Sequence, residues 1–436
     1  MKYTITNLYQ KLMASNEGRR IAVGAFWSFT GTALAKFFVL VAGIFCARIL
    51  GKQGYGEFGM VRSTISLFVT VGFAGLGLTA TKYISEYRKT AKERIGSIVY
   101  LTNGFALFMG ILIATIILLI SPYLADDILE APHLVDDLRV GALLLFVTVI
   151  NGAQVGVLSG FENFRAIALN TLWGSIAECS FMLLGAWYYG VFGAILGYGV
   201  GFAVLYTLNR ISIKRLLNIE GISVTRSTFN RIDLSLLYKF SLPAALSSMM
   251  VVPTYWIVRS MLVRHNGFEE LAIYEAADHW KIIILFIPSA ISQVVLPILS
   301  SSLGEGKDKF WKILKMNLFL NAGVALVLTL LVGCFSPFIM GLYGNGYDDT
   351  STLIILVIST IFNSIATVVG LSISSRAKMW TGATFNFMWA IMVVGGSYCF
   401  ISLNLGATGV ALAILLAYVI HSILQLLYIR RINSYF

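Results

Sequence analysis

Several ionisable side chains interrupt otherwise apolar stretches of this 436-residue sequence. The densest group lies in YEAADHWKIIILF, residues 274–286, where an acid, a histidine and a lysine precede a long apolar run. Guanidinium and ammonium groups bind phosphate, and histidine exchanges protons near neutral pH. Such residues are expensive in lipid and usually face an interior cavity or one another. The candidate ligand-binding residues are therefore Lys36, Arg62, Arg259, Asp278, His279 and Lys281.

Helical spacing predicts that these charged groups end polar stripes. At 100° per residue, Lys36 shares a helix face with Thr32, and Arg62 shares one with Ser66. Two later segments, the predicted seventh and eighth spans, have similar stripes. The first contains Arg259, and the second contains Asp278 and Lys281. A stripe of this kind lines water better than it lines lipid. By contrast, a lone His421 in the last apolar segment is typical of a packing residue.

The composition defines the class of protein. Hydrophobic residues make up 58% of the sequence and charged residues 12%, with a mean hydropathy of +0.81, which predicts a polytopic membrane protein. The net charge of +11 does not indicate nucleic-acid binding, because the basic residues form short clusters between apolar spans. Four cysteines lie in apolar stretches without a CxxC pair, so neither a disulfide framework nor a metal site is predicted.

Apolar segments of about 20 residues are needed for each crossing. The sequence predicts twelve spans, at 24–46, 58–80, 97–120, 140–160, 169–189, 191–209, 240–262, 275–300, 314–336, 351–374, 380–402 and 408–428. Most of the 32 lysines and arginines fall in alternate connecting segments, which predicts that both termini are cytoplasmic. The N-terminus has no cleavable signal pattern.

The two halves of the chain look duplicated. Ser121-Pro122 matches Ser336-Pro337, Asn170-x-x-Trp173 matches Asn386-x-x-Trp389, and Gly190-x-x-Gly193 matches Gly406-x-x-Gly409, all at nearly the same offset. A repeated six-span unit predicts two six-helix bundles related by a pseudo-two-fold axis along the membrane normal. The predicted segments are a cytoplasmic amphipathic segment at 1–20, an N-lobe at 21–210, a cytoplasmic linker at 211–238, a C-lobe at 239–430 and a cytoplasmic tail at 431–436.

Known catalytic and nucleotide-binding motifs do not explain the chain. GYGEFG, from Gly54 to Gly59, fits the dinucleotide fingerprint but lies between two predicted spans without a preceding strand, so it is interpreted as a chance match. No segment fits GxxxxGK[ST], HExxH or GxSxG. The chain is therefore predicted not to be an enzyme, and no cofactor or metal is expected. Gly193, Gly197 and Gly201 form a tandem GxxxG, which predicts close helix packing.

The sequence resembles the multidrug/oligosaccharidyl-lipid/polysaccharide (MOP) flippase superfamily, and within it the bacterial flippases for O-antigen or capsule repeat units. The resemblance is carried by FWSFTGTALAKFFVLVAGIFCARILGKQGYGEFGMVRSTISLF near the N-terminus, by TATKYISEY and by SGFENF. It implies an all-α fold like that of multidrug and toxin extrusion (MATE) proteins, with a central cavity walled by helices one, two, seven and eight. It also implies residence in the bacterial inner membrane and export of undecaprenyl-diphosphate-linked oligosaccharides by alternating access, with polysaccharide polymerases and glycosyltransferases as partners.

Three other functions are weighed against this one. A lipid II-type flippase would carry two additional helices. A MATE cation antiporter places acids in its cavity, whereas only Glu178 and Asp278 are expected inside spans here. A non-transporting scaffold would not need buried cations on four helices. The four candidate cations against Asp278 predict a cavity charge of about +3, which attracts diphosphate and repels cationic drugs.

Within that cavity Lys36 is predicted to lie deepest. Asp278 and Lys281 are three residues apart, close enough to pair on a helix, and Asp278 is also predicted to face Arg62. Two roles stay open: Asp278 neutralises a cation until diphosphate arrives, or Asp278 or His279 takes up the H⁺ or Na⁺ that drives the return stroke.

Overall fold

The computed structural model consists of α-helices joined by short turns. It describes residues 16–73, 75–224, 250–302, 307–376 and 378–434, and these ranges contain no β-strand. The α-helices, labelled α1 to α12 in chain order, are Asn16–Phe73, Leu76–Thr90, Ile95–Tyr123, Val135–Gly160, Phe164–Ile219, Val251–Asn266, Phe268–Ser302, Lys307–Cys334, Ser336–Gly341, Thr350–Ser375, Met379–Ser402 and Gly406–Ser434. A π-helical turn, Leu124–Ile128, and the 3-10 turns Lys92–Arg94 and Pro132–Leu134 lie between them.

Eight helices in the described ranges are long and apolar enough to cross a membrane. Two of these segments, Val23–Thr70 in α1 and Phe164–Ile219 in α5, have 48 and 56 residues. As straight helices they would measure about 72 and 84 Å, more than twice the hydrocarbon thickness of about 30 Å. Each is interrupted at a glycine with positive φ, Gly51 (φ 70°) in α1 and Gly190 (φ 59°) in α5. Each therefore makes two crossings, so the eight segments account for ten of the twelve predicted spans, and the predicted all-α fold is confirmed.

Three predicted boundaries differ from the structure. Gly54 to Gly59 lie inside α1, because the interruption between the first two spans occupies only Gly51 and helix resumes at once. Helix α7 begins at Phe268 rather than at residue 275, with Glu269 and Glu270 in its first turn, where acids are favoured by the helix dipole. Helix α5 continues to Ile219, into the predicted linker. The amphipathic segment before residue 16 and the part of the linker after residue 224 lie outside the described residues.

The chain forms two compact units, which follow a different division from the predicted lobes. Unit 1 comprises residues 1–42, 68–121 and 136–246, and unit 2 comprises residues 43–67, 122–135 and 247–436. The middle of α1 and the segment after α3 thus belong to the same unit as the second half of the chain. The lobe boundaries at 21–210 and 239–430 stay a prediction about the sequence repeat.

Small residues hold the two arms of α5 together in unit 1. A Cβ at Gly197 would lie 2.2 Å from the Phe181 carbonyl oxygen, and one at Gly201 would lie 2.4 Å from Glu178 Cβ. Gly193 approaches the backbone of Gly185 equally closely. The tandem GxxxG is therefore a packing face, as its spacing predicts.

Each unit also has an apolar cluster of its own. In unit 1, side chains from α2, α3, α4 and α5 meet around Ile84, Ile98 and Val157. In unit 2, Phe310 and Leu314 of α8 pack against α7, α10 and α12. These clusters fix the helices that carry the polar residues described next.

Candidate functional site: a buried ion cluster in unit 2

Five of the six predicted site residues lie together in unit 2. Arg62 comes from α1, Arg259 from α6, and Asp278, His279 and Lys281 from α7. On α7 the residues at 275, 278, 279 and 282 share one side because three or four residues complete a helical turn. That side carries one further ionised group, Glu275, which sequence analysis did not include.

Glu275 joins two of the predicted cations. Its Oε2 accepts a hydrogen bond from Arg62 Nη2 at 2.6 Å, and its Oε1 accepts one from Arg259 Nε at 2.5 Å. The carboxylate is 1% exposed, so the acid side of both ion pairs is shielded from water. Charge-assisted bonds of this geometry are among the strongest in proteins. Glu275 therefore connects helices α1, α6 and α7 within the unit.

Asp278 holds the other side of the same cluster. Arg259 Nη2 donates to Asp278 Oδ2 at 3.0 Å, and Lys281 forms an ion pair with Asp278 Oδ1. The predicted Asp278–Lys281 pair is therefore present. The prediction that Asp278 faces Arg62 is wrong, because Arg62 pairs with Glu275, one turn earlier on α7. Arg259 lies between the two carboxylates.

Burial makes the pairing in this cluster obligatory. Arg259, Asp278 and Lys281 are buried with Glu275, whereas the Arg62 side chain is 22% exposed. Each buried ion that lacks a partner of opposite charge lowers the stability of the fold by several kcal/mol, because its desolvation is not compensated. Three cations against two carboxylates leave one net positive charge, rather than the predicted three. The expectation that Glu178 and Asp278 are the only acids inside spans is also corrected, since Glu275 is buried within α7.

Aromatic rings surround the cations. The Tyr274 ring centroid lies 5.1 Å from the Arg259 guanidinium, and the Tyr255 centroid lies 4.4 Å from Lys281 Nζ. Tyr255 is packed in turn against Trp389 of α11 and Tyr418 of α12. A ring face stabilises a nearby cation and excludes water. The arrangement strengthens the ion pairs by keeping the local dielectric low.

His279 lies beside the ion pairs without joining them. Its Nδ1 is 3.3 Å from the Tyr55 hydroxyl, and its Nε2 is buried without a hydrogen-bond partner among the described residues. A Cβ at Gly43 would lie 2.7 Å from the imidazole, so this glycine leaves the space that the ring occupies. An imidazole with one satisfied and one open nitrogen can accept or donate a proton.

Lys36 is the predicted site residue that falls in the other unit. It lies half-buried on the first arm of α1 in unit 1, whereas the ion cluster belongs to unit 2. His421 is buried against the rings of Phe385 and Tyr418, which agrees with a packing role. The signal that could have found Glu275 was its spacing of three residues before Asp278 and six before Lys281, on the polar side of α7.

Fold and site together define a polytopic membrane protein with a MATE-like fold and a buried, net cationic charge cluster. One solved structure, described as the inward-facing conformation of a multidrug resistance MATE family transporter of the MOP superfamily, superimposes with a TM-score of 0.81. It is 18% identical, and the match covers 92% of this chain and 94% of that one. At this identity the likeness establishes the fold.

The family follows from the sequence comparison. A model described as polysaccharide biosynthesis protein matches residues 21–303, and the chain belongs to that family. The predicted place among polysaccharide biosynthesis proteins is thereby confirmed. The chain is similar to the EPS I polysaccharide export inner membrane protein EpsE of Ralstonia nicotianae, 26% identical over 296 residues, and the match spans 64% of each chain, just under two thirds. It is also similar to the lipid III flippase of Escherichia coli, 22% identical over 307 residues, covering 70% of this chain and 73% of that one.

Proposed function

We propose that the protein is a flippase that moves undecaprenyl-diphosphate-linked oligosaccharides outward across the bacterial inner membrane by alternating access. It would serve O-antigen, capsule or exopolysaccharide synthesis, together with a polysaccharide polymerase and glycosyltransferases, and it would carry out no covalent chemistry. The family and the names of the EpsE and lipid III flippase relatives support this substrate class.

The observation that carries the proposal is the excess of cations in the buried cluster. A site with Arg62, Arg259 and Lys281 against two carboxylates attracts an anion, and a guanidinium can grip a phosphate through two donors. Arg62 is the cation that a ligand reaches first, since about a fifth of its side chain is exposed while those of Arg259 and Lys281 are nearly enclosed.

Glu275 and Asp278 would act as internal substitutes for phosphate. Each carboxylate presents two oxygens to a cation, as a phosphate does, and so neutralises the site while it is empty. An arriving diphosphate would compete with Glu275 for Arg62, which is held by that carboxylate through one 2.6 Å contact. Lys36, half-buried on α1 in unit 1, stays a predicted substrate-binding residue.

The direct test is transport of a fluorescent lipid-diphosphate oligosaccharide in proteoliposomes. Arg62→Gln removes the reachable cation while Arg259 still satisfies Glu275, so transport should fall by roughly tenfold or more, as expected for a lost charge-assisted contact. Arg62→Lys should retain part of the activity. Arg139→Gln is the matched control, because this exposed arginine of α4 pairs with the exposed Asp136.

A double variant separates contact from charge. Arg62→Gln combined with Glu275→Gln restores the net charge of the cluster without restoring the guanidinium. Transport that stays low in this variant supports direct contact between Arg62 and the diphosphate. Recovery to the wild-type rate would mean that only net charge matters, and the binding role of Arg62 would be withdrawn.

A cation antiporter is the second candidate, and the two buried carboxylates favour it. Glu275 and Asp278 together provide acids that could exchange a cation for H⁺ or Na⁺. The same proteoliposomes, given a pH or Na⁺ gradient and a cationic dye, test this function. Dye export without movement of the lipid substrate would overturn the flippase proposal.

The driving ion is tested with the same preparation. Because Asp278 is held by Arg259 and Lys281, we favour a pairing role for this carboxylate and leave His279 as a hydrogen-bond donor to the substrate. Flipping by Asp278→Asn and His279→Gln is compared with and without an imposed gradient. If wild-type flipping responds to the gradient and either variant loses only that response, the pairing role fails and the residue is part of the coupling site.

Orientation is proposed with both termini in the cytoplasm. In a variant whose native cysteines are replaced, single cysteines at Asp127 and Asn345 should react with an impermeant reagent added outside whole spheroplasts, and a cysteine at Lys92 should not. All three positions are exposed on the protein surface, so accessibility within the protein does not limit labelling. Labelling at Lys92 would reverse the orientation.

A further inference from the structure

Unit 1 contains a groove that the charge cluster does not use. It lies between α3, α4 and the C-terminal part of α5, and its volume is about 710 Å³. The segment 222–224 closes one side, where the Ser223 carbonyl oxygen would lie 2.2 Å from a Cβ at Gly96. Because that backbone packs directly on Gly96, the segment is a fixed wall of the groove. The groove lies at the end of unit 1 that the distribution of lysine and arginine predicts to be cytoplasmic.

The walls of the groove are apolar and its rim is cationic. Leu107, Ile150 and Ile213 contribute to the walls. Arg210 and Lys214 are four residues apart on α5, so they project from the same face of the helix. Tyr206, one turn earlier, accepts a hydrogen bond from Arg210 Nη1 at 3.2 Å and orients the guanidinium.

The lining also leaves a polar group without a partner. Gln154 is 4% exposed, and its Oε1 has no hydrogen-bond partner among the described residues. Buried polar groups in proteins are nearly always satisfied, so an open one that lines a groove indicates a ligand that bonds to it. No aspartate or glutamate is among the described residues that line the groove. In this respect it differs from the cluster in unit 2, where three cations share two carboxylates.

We propose that this groove binds an anionic phospholipid of the membrane, with phosphatidylglycerol as the representative ligand. Arg210 and Lys214 bind the phosphate, an acyl chain lies along the apolar wall, and a head-group hydroxyl reaches the Gln154 amide. Basic pockets between helices at the cytoplasmic membrane surface are suited to anionic head groups. The inference does not depend on the proposed flippase function.

Gly104 provides a selective way to fill the groove. It lines the groove on α3, its position is exposed, and a Cβ added there would meet no atom within 4 Å. Gly104→Leu therefore occupies the ligand's space without a clash, and leucine is the better helix former. Gly323→Leu on α8 is the matched control, because that exposed glycine also faces open space but lies outside the groove.

The experiment measures photolabelling of the purified full chain by photoactivatable phosphatidylglycerol in nanodiscs. Gly104→Leu, and separately Arg210→Ala with Lys214→Ala, should each lower labelling of the groove peptides by roughly tenfold, since each removes a main binding element. Gly323→Leu should label like the wild type. Photoactivatable phosphatidylcholine should label the wild type weakly. Its labelling should be no stronger than that of Gly104→Leu by the phosphatidylglycerol probe.

Several outcomes would overturn the proposal. Wild-type labelling of Gly104→Leu would mean that lipid does not enter the groove, and equal labelling by phosphatidylcholine would mean that the cations select nothing. Displacement of the probe by inorganic phosphate at equal concentration would assign the rim to free phosphate. Displacement by a polyprenyl diphosphate at lower concentration would assign the groove to the transported lipid instead. All readouts are of binding, so they stand even if no oligosaccharide is transported.

Discussion

Both units bury neutral hydrogen-bonded groups, but only unit 2 has the buried ion cluster described above. In unit 1, Asn170 donates to Asn209 and Ser212, and Asn151 donates to the Phe202 carbonyl, so neutral amides connect the helices. In unit 2 the helices are connected by carboxylates and cations around Glu275. Hydrogen bonds between neutral groups add modestly to the stability of a fold. A buried ion pair often stabilises the fold no more than apolar side chains in its place would. A charged interior is therefore better explained by function than by stability, and it occurs in unit 2.

The largest effect is expected at Glu275. Glu275→Ala removes the carboxylate that accepts from Arg62 and leaves Arg259 with one carboxylate instead of two. Breaking a buried pair costs about 3–5 kcal/mol. The free energy of unfolding, measured in detergent, should fall by that amount. Glu93→Ala, at an exposed acid in the turn before α3, should change it by less than about 0.5 kcal/mol.

A small loss in Glu275→Ala would contradict the role of Glu275 as the shared acceptor. It would also remove the contrast between the units. Arg259 also lies between two carboxylates, so Arg259→Ala should lose stability and abundance as well as transport.

The predicted repeat offers a matched pair of tryptophans. Trp173 and Trp389 occupy equivalent positions of the Asn-x-x-Trp motif, yet Trp173 is 58% exposed and Trp389 is 2% exposed, packed on Tyr255 and Tyr418 beside Lys281. Trp389→Ala should destabilise unit 2 by about 3–5 kcal/mol. Trp173→Ala should stay within about 0.5 kcal/mol in detergent. Equal losses in thermal unfolding would mean that the two copies are not specialised.

Glycine packing provides the corresponding test of unit 1. In Gly197→Leu the new Cβ would lie 2.2 Å from the Phe181 carbonyl oxygen, a backbone atom that cannot rotate away. Separating the two arms of α5 should cost about 1–3 kcal/mol, the usual range for overpacking. Gly395→Leu on α11 meets no atom within 4 Å and should be neutral or slightly stabilising. A neutral Gly197→Leu would show that the GxxxG face is not required.

The sequence predicts the fold better than it predicts the site, for identifiable reasons. Span lengths and the GxxxG spacing depend on local periodicity, which is visible in the chain. Arg62 and Arg259 could be selected because charges are rare in apolar runs. Their partner Glu275 lies close to the predicted start of its span, where an acid looks like a loop residue, and only the start of α7 at Phe268 makes it interior. The pairing of Arg62 with Glu275 rather than Asp278 depends on tertiary packing, which no spacing encodes.

The smallest effect concerns helix caps, for which a charged side chain in unit 2 can be compared with a neutral one in unit 1. Asp349 caps α10 by accepting from Ser351 N at 2.8 Å, and it also accepts from the hydroxyls of Thr352 and Thr408. In unit 1, Asn163 caps α5 through Ala166 N at 3.3 Å. Burial alone would raise the pKa of Asp349, but the hydrogen bonds from Thr352, Thr408 and Ser351 outweigh it and hold the pKa below its usual value.

Asp349→Ala and Asn163→Ala should each cost about 0.5–2 kcal/mol near neutral pH, as lost caps do. Because the folded-state pKa of Asp349 is lowered, its contribution is complete above the unfolded-state value of about 3.9 and is lost as the pH falls through the folded value. The stability difference between wild type and Asp349→Ala should therefore shrink in acid, whereas the difference for Asn163→Ala should not depend on pH. Unfolding measured in detergent from pH 7 down to the acid limit of the fold tests this, with Asp349→Asn as the variant that keeps the cap and loses the titration. A difference for Asp349→Ala that is constant with pH would mean that the carboxylate caps α10 no better when ionised than when neutral.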